Sequence, residues 1–243
     1  MHVYADGRKI FLVINGKEVK IVKYRHEWKY RISYGDLLTL RHRLTAVAKR
    51  DCHATAGKYE IRSLYFDSPG DKALRDKIDG VNIREKFRIR YYDNNQNVIH
   101  LEKKSKVNGL CLKEQASLTK EQARACAKGD FCRIRQNDNP LILEFYSKTC
   151  LGLRPKIIVD YTREPFVFGP GNVRVTIDYN IRMGQNCKDF LSPDCVTLPV
   201  EDSPIILEVK WDEYLPDIIR DAVGLKNCRL GAFSKYAACR VYG

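Results

Sequence analysis

"REKFRIRYYD", residues 84–93, places Arg84, Lys86, Arg88 and Arg90 on alternate positions, with Phe87, Ile89 and Tyr91 between them. Successive side chains of an extended strand point to opposite faces, so one face of this segment is cationic and the other apolar. The same habit recurs along the chain. Arg174, Thr176, Asp178 and Arg182 alternate with Val173, Val175, Ile177, Tyr179 and Ile181. Glu208 and Lys210 alternate with Leu207, Val209 and Trp211, and Glu27, Lys29 and Arg31 with Trp28, Tyr30 and Ile32. Glu102, Lys104 and Lys106 follow Ile99 and Leu101 in the same way, and Lys113 lies between Leu112 and Glu114. A solvated sheet face normally mixes hydroxyls and amides with charges of both signs. Here at least five strands carry Lys or Arg on the polar face with few acids among them.

An antiparallel sheet closed into a barrel brings such faces together, and helices then cover its apolar outer face. The fold expected is α+β, an antiparallel β-barrel with helices packed on the outside. Cations crowded inside repel one another unless a polyanion or counter-ions accompany them. Arg supplies planar bidentate contacts to phosphate oxygens and Lys supplies point charges. The few carboxylates, Glu27, Glu102 and Glu208, are candidate oxygen ligands for Mg²⁺ or Mn²⁺, or counter-ions to the lysines and arginines. The residues themselves therefore point to a phosphate-chain tunnel with a divalent metal.

The bulk composition agrees. In 243 residues, 43 Lys and Arg against 30 acids give a formal charge of +13, which favours a polyanionic partner. Nine scattered cysteines without C-x-x-C spacing suggest neither a zinc site nor a redox pair, and they fit a reducing, cytoplasmic setting. His26, His42, His53 and His100 show no ligand spacing and read as surface or structural. "IFLVI" is too short to span a membrane. Asn15-Gly16 and Asn108-Gly109 mark hairpins, Ser33 caps a helix over roughly 34–50, and Thr119 with Gln122 forms a capping box. "PLILEFYSKTCLG" reads as helix or strand, 216–224 and 233–242 as helices, and Tyr65 and Phe66 as core. Residues 24–243 are expected to form one domain, with residues 1–23 as an N-terminal hairpin extension.

In order along the chain, "EWKYRI", "SLYFDS", "KFRIRYY", "HLEKKSK", "LKEQ", "YTREPF", "VRVTID", "ILEVKW" and "FSKY" resemble the catalytic domain of the vacuolar transporter chaperone family. These are polyphosphate polymerases of the triphosphate tunnel metalloenzyme class. The resemblance implies transfer of the γ-phosphoryl group of ATP to a growing polyphosphate chain, with Mn²⁺ or a similar metal. It implies phosphate contacts from Lys29, Arg88, Arg90, Lys104, Lys113, Arg163, Arg174 and Lys235, with Glu208 as metal ligand. Of these, Arg88, Arg90, Lys104, Arg163 and Arg174 are the expected catalytic groups. The alternation adds Arg31 and Lys210 to the phosphate-binding set, and Glu27 and Glu102 to the candidate metal ligands. Ala232 stands where the family often has a second basic residue before the last Lys, and the Lys104–Lys113 hairpin is short. Coupling to translocation implies a separate membrane-protein partner at the cytoplasmic face of a membrane. Two alternatives stay open: hydrolysis of tripolyphosphate or a nucleoside triphosphate, and a non-catalytic polyphosphate-binding module. Nucleic acid is disfavoured because Phe87 and Tyr91 lie opposite the basic face, leaving no stacking platform there.

Overall fold

The computed structural model describes residues 2–6, 9–14, 17–23, 25–54, 56–108, 110–202, 204–226 and 228–241. Strands β1 (His2–Asp6), β2 (Lys9–Ile14) and β3 (Lys17–Lys23) form an antiparallel three-stranded sheet. The expected hairpin is thus β2–β3, with a further strand before it; its Asn15-Gly16 turn lies outside the described residues.

The main sheet contains β4 (His26–Ile32), β5 (Lys49–Arg50), β6 (Tyr59–Asp67), β7 (Ile83–Tyr92), β8 (Asn95–Val107), β9 (Leu110–Leu118), β10 (Arg154–Phe168), β11 (Val173–Gly184), β12 (Leu198–Pro199) and β13 (Ile205–Trp211). Its order is β4-β13-β11-β10-β6-β7-β8-β9, all antiparallel, with the short β5 and β12 pairing β10 and β11. The two ends of this path meet at an antiparallel bridge between Arg25 and Cys111, which curls the sheet into a barrel. A register shift between Asp160 and Thr162 adds local twist to the long β10–β11 pair. The turn joining those strands needs glycine: Gly171 has φ 71°, and a Cβ there would lie 2.4 Å from the Tyr214 carbonyl oxygen.

Six helices complete the chain among the described residues: α1 (Tyr34–Val47), α2 (Lys72–Ile78), α3 (Lys120–Ala127), α4 (Pro140–Cys150), α5 (Asp217–Ala222) and α6 (Lys235–Val241). Ser33 and Asp36 close a reciprocal capping box on α1, and Thr119 and Gln122 do so on α3. The ambiguous segment is α4, because Asn139 caps it, Pro140 sits in its first turn, and its apolar residues pack one face onto the sheet. Phe145 of α4 meets the rings of Phe66, Phe87 and Phe131, which draws the outer face of β6–β8 into one core. Deleting such a buried ring costs about 3–5 kcal/mol. On the far side α1 and α5 cover Val175, Ile177, Leu207 and Val209.

The inner face is not uniformly cationic. Ile61, Val159, Ile181 and Ile206 line one half of it, and α6 enters there with Tyr236, Ala238 and Cys239. The Tyr236 ring stacks on Tyr65 at 5.1 Å and its hydroxyl donates to Asp67 at 2.7 Å. An apolar plug thus fills one half of the barrel and leaves the charged half open.

Candidate functional site: a basic tunnel through the barrel

Cross-strand register assembles the charged half. Lys29 of β4 faces Glu208 of β13, Lys210 faces Arg174 of β11, Asp178 faces Arg163 of β10, and Arg88 of β7 faces Glu102 of β8. Residues directly opposite share a face, so these groups converge on a cavity of about 340 Å³. Eleven Lys and Arg side chains line it against two carboxylates, Glu27 and Glu208. A second cavity of about 130 Å³ shares Glu27, Lys29, Lys86, Lys104 and Cys111 with the first and continues to Lys77, Arg84 and Lys106. The basic lining therefore runs onward past the main chamber.

What keeps so many cations together is a set of acids sunk into the wall. Glu102, 1% exposed, accepts from Arg88 Nε at 2.7 Å, and its other oxygen lies 2.5 Å from Lys113 Nζ. Asp178, 0% exposed, takes both arms of Arg163 at 2.6 and 2.7 Å and Lys235 Nζ at 2.5 Å. Burial pushes the Glu102 carboxyl up, but Arg88, Arg90 and Lys113 outweigh it and hold the group far below the usual carboxylate range. Burial likewise opposes ionisation of Asp178, and Arg163 and Lys235 reverse the balance. Hydroxyls supply further acceptors, with Asp51 as one more carboxylate. Arg90 donates to Ser63 Oγ at 2.9 Å and the Tyr161 hydroxyl at 3.0 Å, Arg88 to the Tyr65 hydroxyl at 2.9 Å, and Arg174 to Tyr59 at 2.7 Å and Asp51 at 2.9 Å. The Nε of Arg174 is buried without a hydrogen-bond partner, a donor left over for a ligand oxygen.

Of the candidate residues, Arg88, Arg90, Lys104, Arg163, Arg174, Lys29, Lys113, Lys210, Lys235, Glu208 and Glu27 line this one chamber. Arg31 does not join them. It lies on the expected face but past the end of the tunnel, 60% exposed, and pairs with the equally exposed Asp202 at 3.4 Å. Glu102 is placed as a counter-ion beneath the surface, enclosed by its cations. Tyr65 is buried as expected, yet it faces the tunnel; Phe66 alone of that pair belongs to the outer core. Tyr59, Tyr92 and Tyr161 share its face, so aromatics do accompany the cations. Three of those four hydroxyls accept from arginines, and the rings pack on one another or on α6, which makes them wall rather than a stacking platform.

A family model described as the VTC domain matches residues 24–242. The chain belongs to the VTC domain family. Its barrel has the triphosphate tunnel fold. Among solved structures, HpAC1 from Hippeastrum, an adenylyl cyclase candidate described as having a dominant triphosphatase activity, is 12% identical. It covers 90% of this chain and 95% of its own with a TM-score of 0.55. The PH1012 protein from Pyrococcus horikoshii OT3 is 14% identical, with coverage of 87% and 96% and a TM-score of 0.47. A Bacillus halodurans adenylate cyclase candidate is 11% identical, with 76% and 81% coverage and a TM-score of 0.45. No curated protein sequence matches this chain.

Within this VTC domain the fit to a divalent cation rests on Glu27 and Glu208. Glu208 is buried and Glu27 half-buried, and the Glu208 carboxylate lies close enough to raise the Glu27 pKa, as two ligands of one ion do in its absence. For Glu208, burial raises the pKa, and Lys210, Lys29, Lys104 and Arg163 hold it well below the usual range. Glu27 is lowered too, because Lys104 and Lys29 outweigh burial and its neighbour Glu208. Two ionised carboxylates are the donor set that Mg²⁺ or Mn²⁺ takes when substrate phosphates complete the shell. Arg25 lines the chamber without having been expected there, and so does Lys86. Lys86 lines both cavities of the VTC tunnel, touches the Tyr65 ring face at 5.6 Å, and has no carboxylate partner among the described residues. Burial pushes its ammonium down to about 7. Tyr65 moves the other way from what burial dictates: Arg88, Lys86 and Arg90 bring its phenol down to about 7.

Proposed function

We propose that this VTC domain is a polyphosphate polymerase, transferring the γ-phosphoryl group of ATP to the end of a polyphosphate chain inside the tunnel. The observation that carries the reading is the basic lining that extends from the main chamber into the second cavity, past Lys86 and Lys104 to Lys77, Arg84 and Lys106. A triphosphate alone has no need of that second stretch, whereas a chain does.

Phosphoryl transfer asks mainly for positioning and charge neutralisation. Arg88, Arg90, Arg163 and Arg174 each approach the chamber with planar donors fixed by Glu102, Ser63, Tyr161, Asp178 or Asp51, so little reorganisation accompanies binding. Lys235, at the start of α6, and Lys113, on β9, bring point charges from opposite sides. Glu27 and Glu208 would hold a divalent cation, Mn²⁺ or Mg²⁺, which when bound adds charge neutralisation at the phosphate oxygens. Glu27, Glu208, Glu102 and Asp178 all sit below the usual carboxylate range, so none is fitted to abstract a proton near neutral pH. A terminal phosphate oxygen, already ionised, needs no such base. Water does.

Hydrolysis of the bound triphosphate is the second reading. It is favoured by Tyr65, which titrates near neutrality inside the chamber, and it matches the activity printed for the Hippeastrum protein. ADP release with and without a short polyphosphate primer separates the readings. Strict primer dependence, lost in Arg90→Ala, supports the polymerase; equal release without primer supports hydrolysis; no release with metal and primer varied supports a binding module. The nine cysteines are free, in keeping with a reducing compartment, and no helix among the described residues is long and apolar enough to cross a membrane.

A further inference from the structure

Beside Arg174 lies a set of donor atoms of which the reaction above uses only Asp51 Oδ2, the acceptor for that arginine. Asp51, Cys52 and His53 follow β5 in a turn closed by the Ala54 N–H on the Asp51 carbonyl at 3.0 Å. The turn is anchored on both sides. The Asp51 N–H donates to the Pro165 carbonyl at 3.3 Å, and the Ala54 side chain is buried in the core. Asp51 Oδ1 lies 2.9 Å from His53 Nδ1, and Cys52 Sγ lies 3.5 Å from the same nitrogen. A carboxylate oxygen, a thiol sulfur and an imidazole nitrogen thus stand within 4.8 Å of one another.

Both contacts use Nδ1. A Cys-His-Asp proton relay needs its two partners on opposite ring nitrogens, so this trio is not a nucleophile with its base. Convergence of three donor atoms on one point is what a chelated cation requires. Sulfur and imidazole together select a borderline-soft ion over Mg²⁺ or Mn²⁺. We propose that Asp51, Cys52 and His53 form a binding site for a divalent cation of the zinc type, separate from the oxygen ligands inside the tunnel. Cys52 and His53 are exposed, leaving the remaining coordination position to solvent. The site is wired to the tunnel through one atom: Asp51 Oδ2 accepts from Arg174 Nη2 at 2.9 Å. Loading the site draws on the Asp51 charge and loosens its hold on Arg174.

The proposal is independent of which reaction the tunnel performs, and Co²⁺ is the probe, with Zn²⁺ as competitor. Absorption is recorded during Co²⁺ titration of the full chain as wild type, Cys52→Ser, His53→Ala and Glu208→Gln. The expected result is a thiolate-to-cobalt charge-transfer band that saturates at one equivalent and is displaced by Zn²⁺. That band is absent from Cys52→Ser, needs about tenfold more Co²⁺ in His53→Ala, and is unchanged in Glu208→Gln. Both altered rim side chains are exposed, so folding is not at stake. No band in the wild type, the same band in Cys52→Ser, or loss of the band in a Glu208→Gln protein whose circular dichroism matches wild type overturns the proposal.

Discussion

Replacing Glu102 by Gln tests whether the buried acids hold the empty tunnel together. Glu102 is 1% exposed and serves Arg88 at 2.6–2.7 Å, Lys113 at 2.5 Å and Arg90 at 3.8 Å. Stripping a buried charge of its partner costs about 3–5 kcal/mol, and the open chamber beside Lys113 places this case at the lower end, about 3 kcal/mol. For a chain of this size that lowers Tm by about 6–12 °C. The same change removes one negative charge from the wall of an anion site. At about 10 Å and an effective dielectric near 20, that favours an incoming anion by about 1.7 kcal/mol, or about 15- to 20-fold in affinity. Saturating tripolyphosphate therefore recovers roughly half of the stability deficit in Glu102→Gln. Thermal melts of both proteins, metal-free, with and without tripolyphosphate, measure both quantities. A variant as stable as wild type, or one that binds tripolyphosphate more weakly, shows that Glu102 is not a counter-ion of the empty tunnel.

Other consequences concern the same wall. Lys86 and Tyr65 both titrate at about 7 in the empty tunnel, and a bound polyanion raises both pKa values. Binding then takes up protons above pH 7, and tripolyphosphate affinity falls as pH rises from 7 to 9; calorimetry in buffers of different ionisation enthalpy should show uptake that shrinks in Lys86→Arg. Asp178→Asn frees Lys235 and one face of Arg163, and a displacement of about 1 Å in such donors lowers kcat for ADP release about 100-fold. Arg31→Ala, altering an exposed pair outside the tunnel, leaves tripolyphosphate affinity unchanged and stability within about 0.5 kcal/mol by thermal melt.

Alternation in the sequence located the strands and told which side chains share a face, because a period of two is a local property. It could not tell how far along the barrel a residue lies. Arg31 has the right parity and the wrong height. Counter-ions were hidden for a related reason: Asp51 meets Arg174 across 123 residues, and only the pairing of both β5 and β11 with β10 brings them together. Asp178 was visible in "VRVTID" as a polar position, but its role depends on Arg163 directly opposite on β10. Tyr65 is core as expected, part of the apolar cluster around α6, but that its hydroxyl also reaches the tunnel is not visible in a local pattern. The helix α6 was legible as a helix, whereas its place inside the barrel follows from the apolar half of the inner face, which no single strand reveals.

The fate of the γ-phosphoryl group decides between transfer and hydrolysis. Protein, Mn²⁺, a polyphosphate primer of defined length and ATP labelled at the γ-phosphorus are mixed, and the products are resolved by length over one turnover. The predicted result is label in chains one phosphate longer than the primer, absent with Arg90→Ala. Label found only in orthophosphate, with the primer unchanged, contradicts polymerisation.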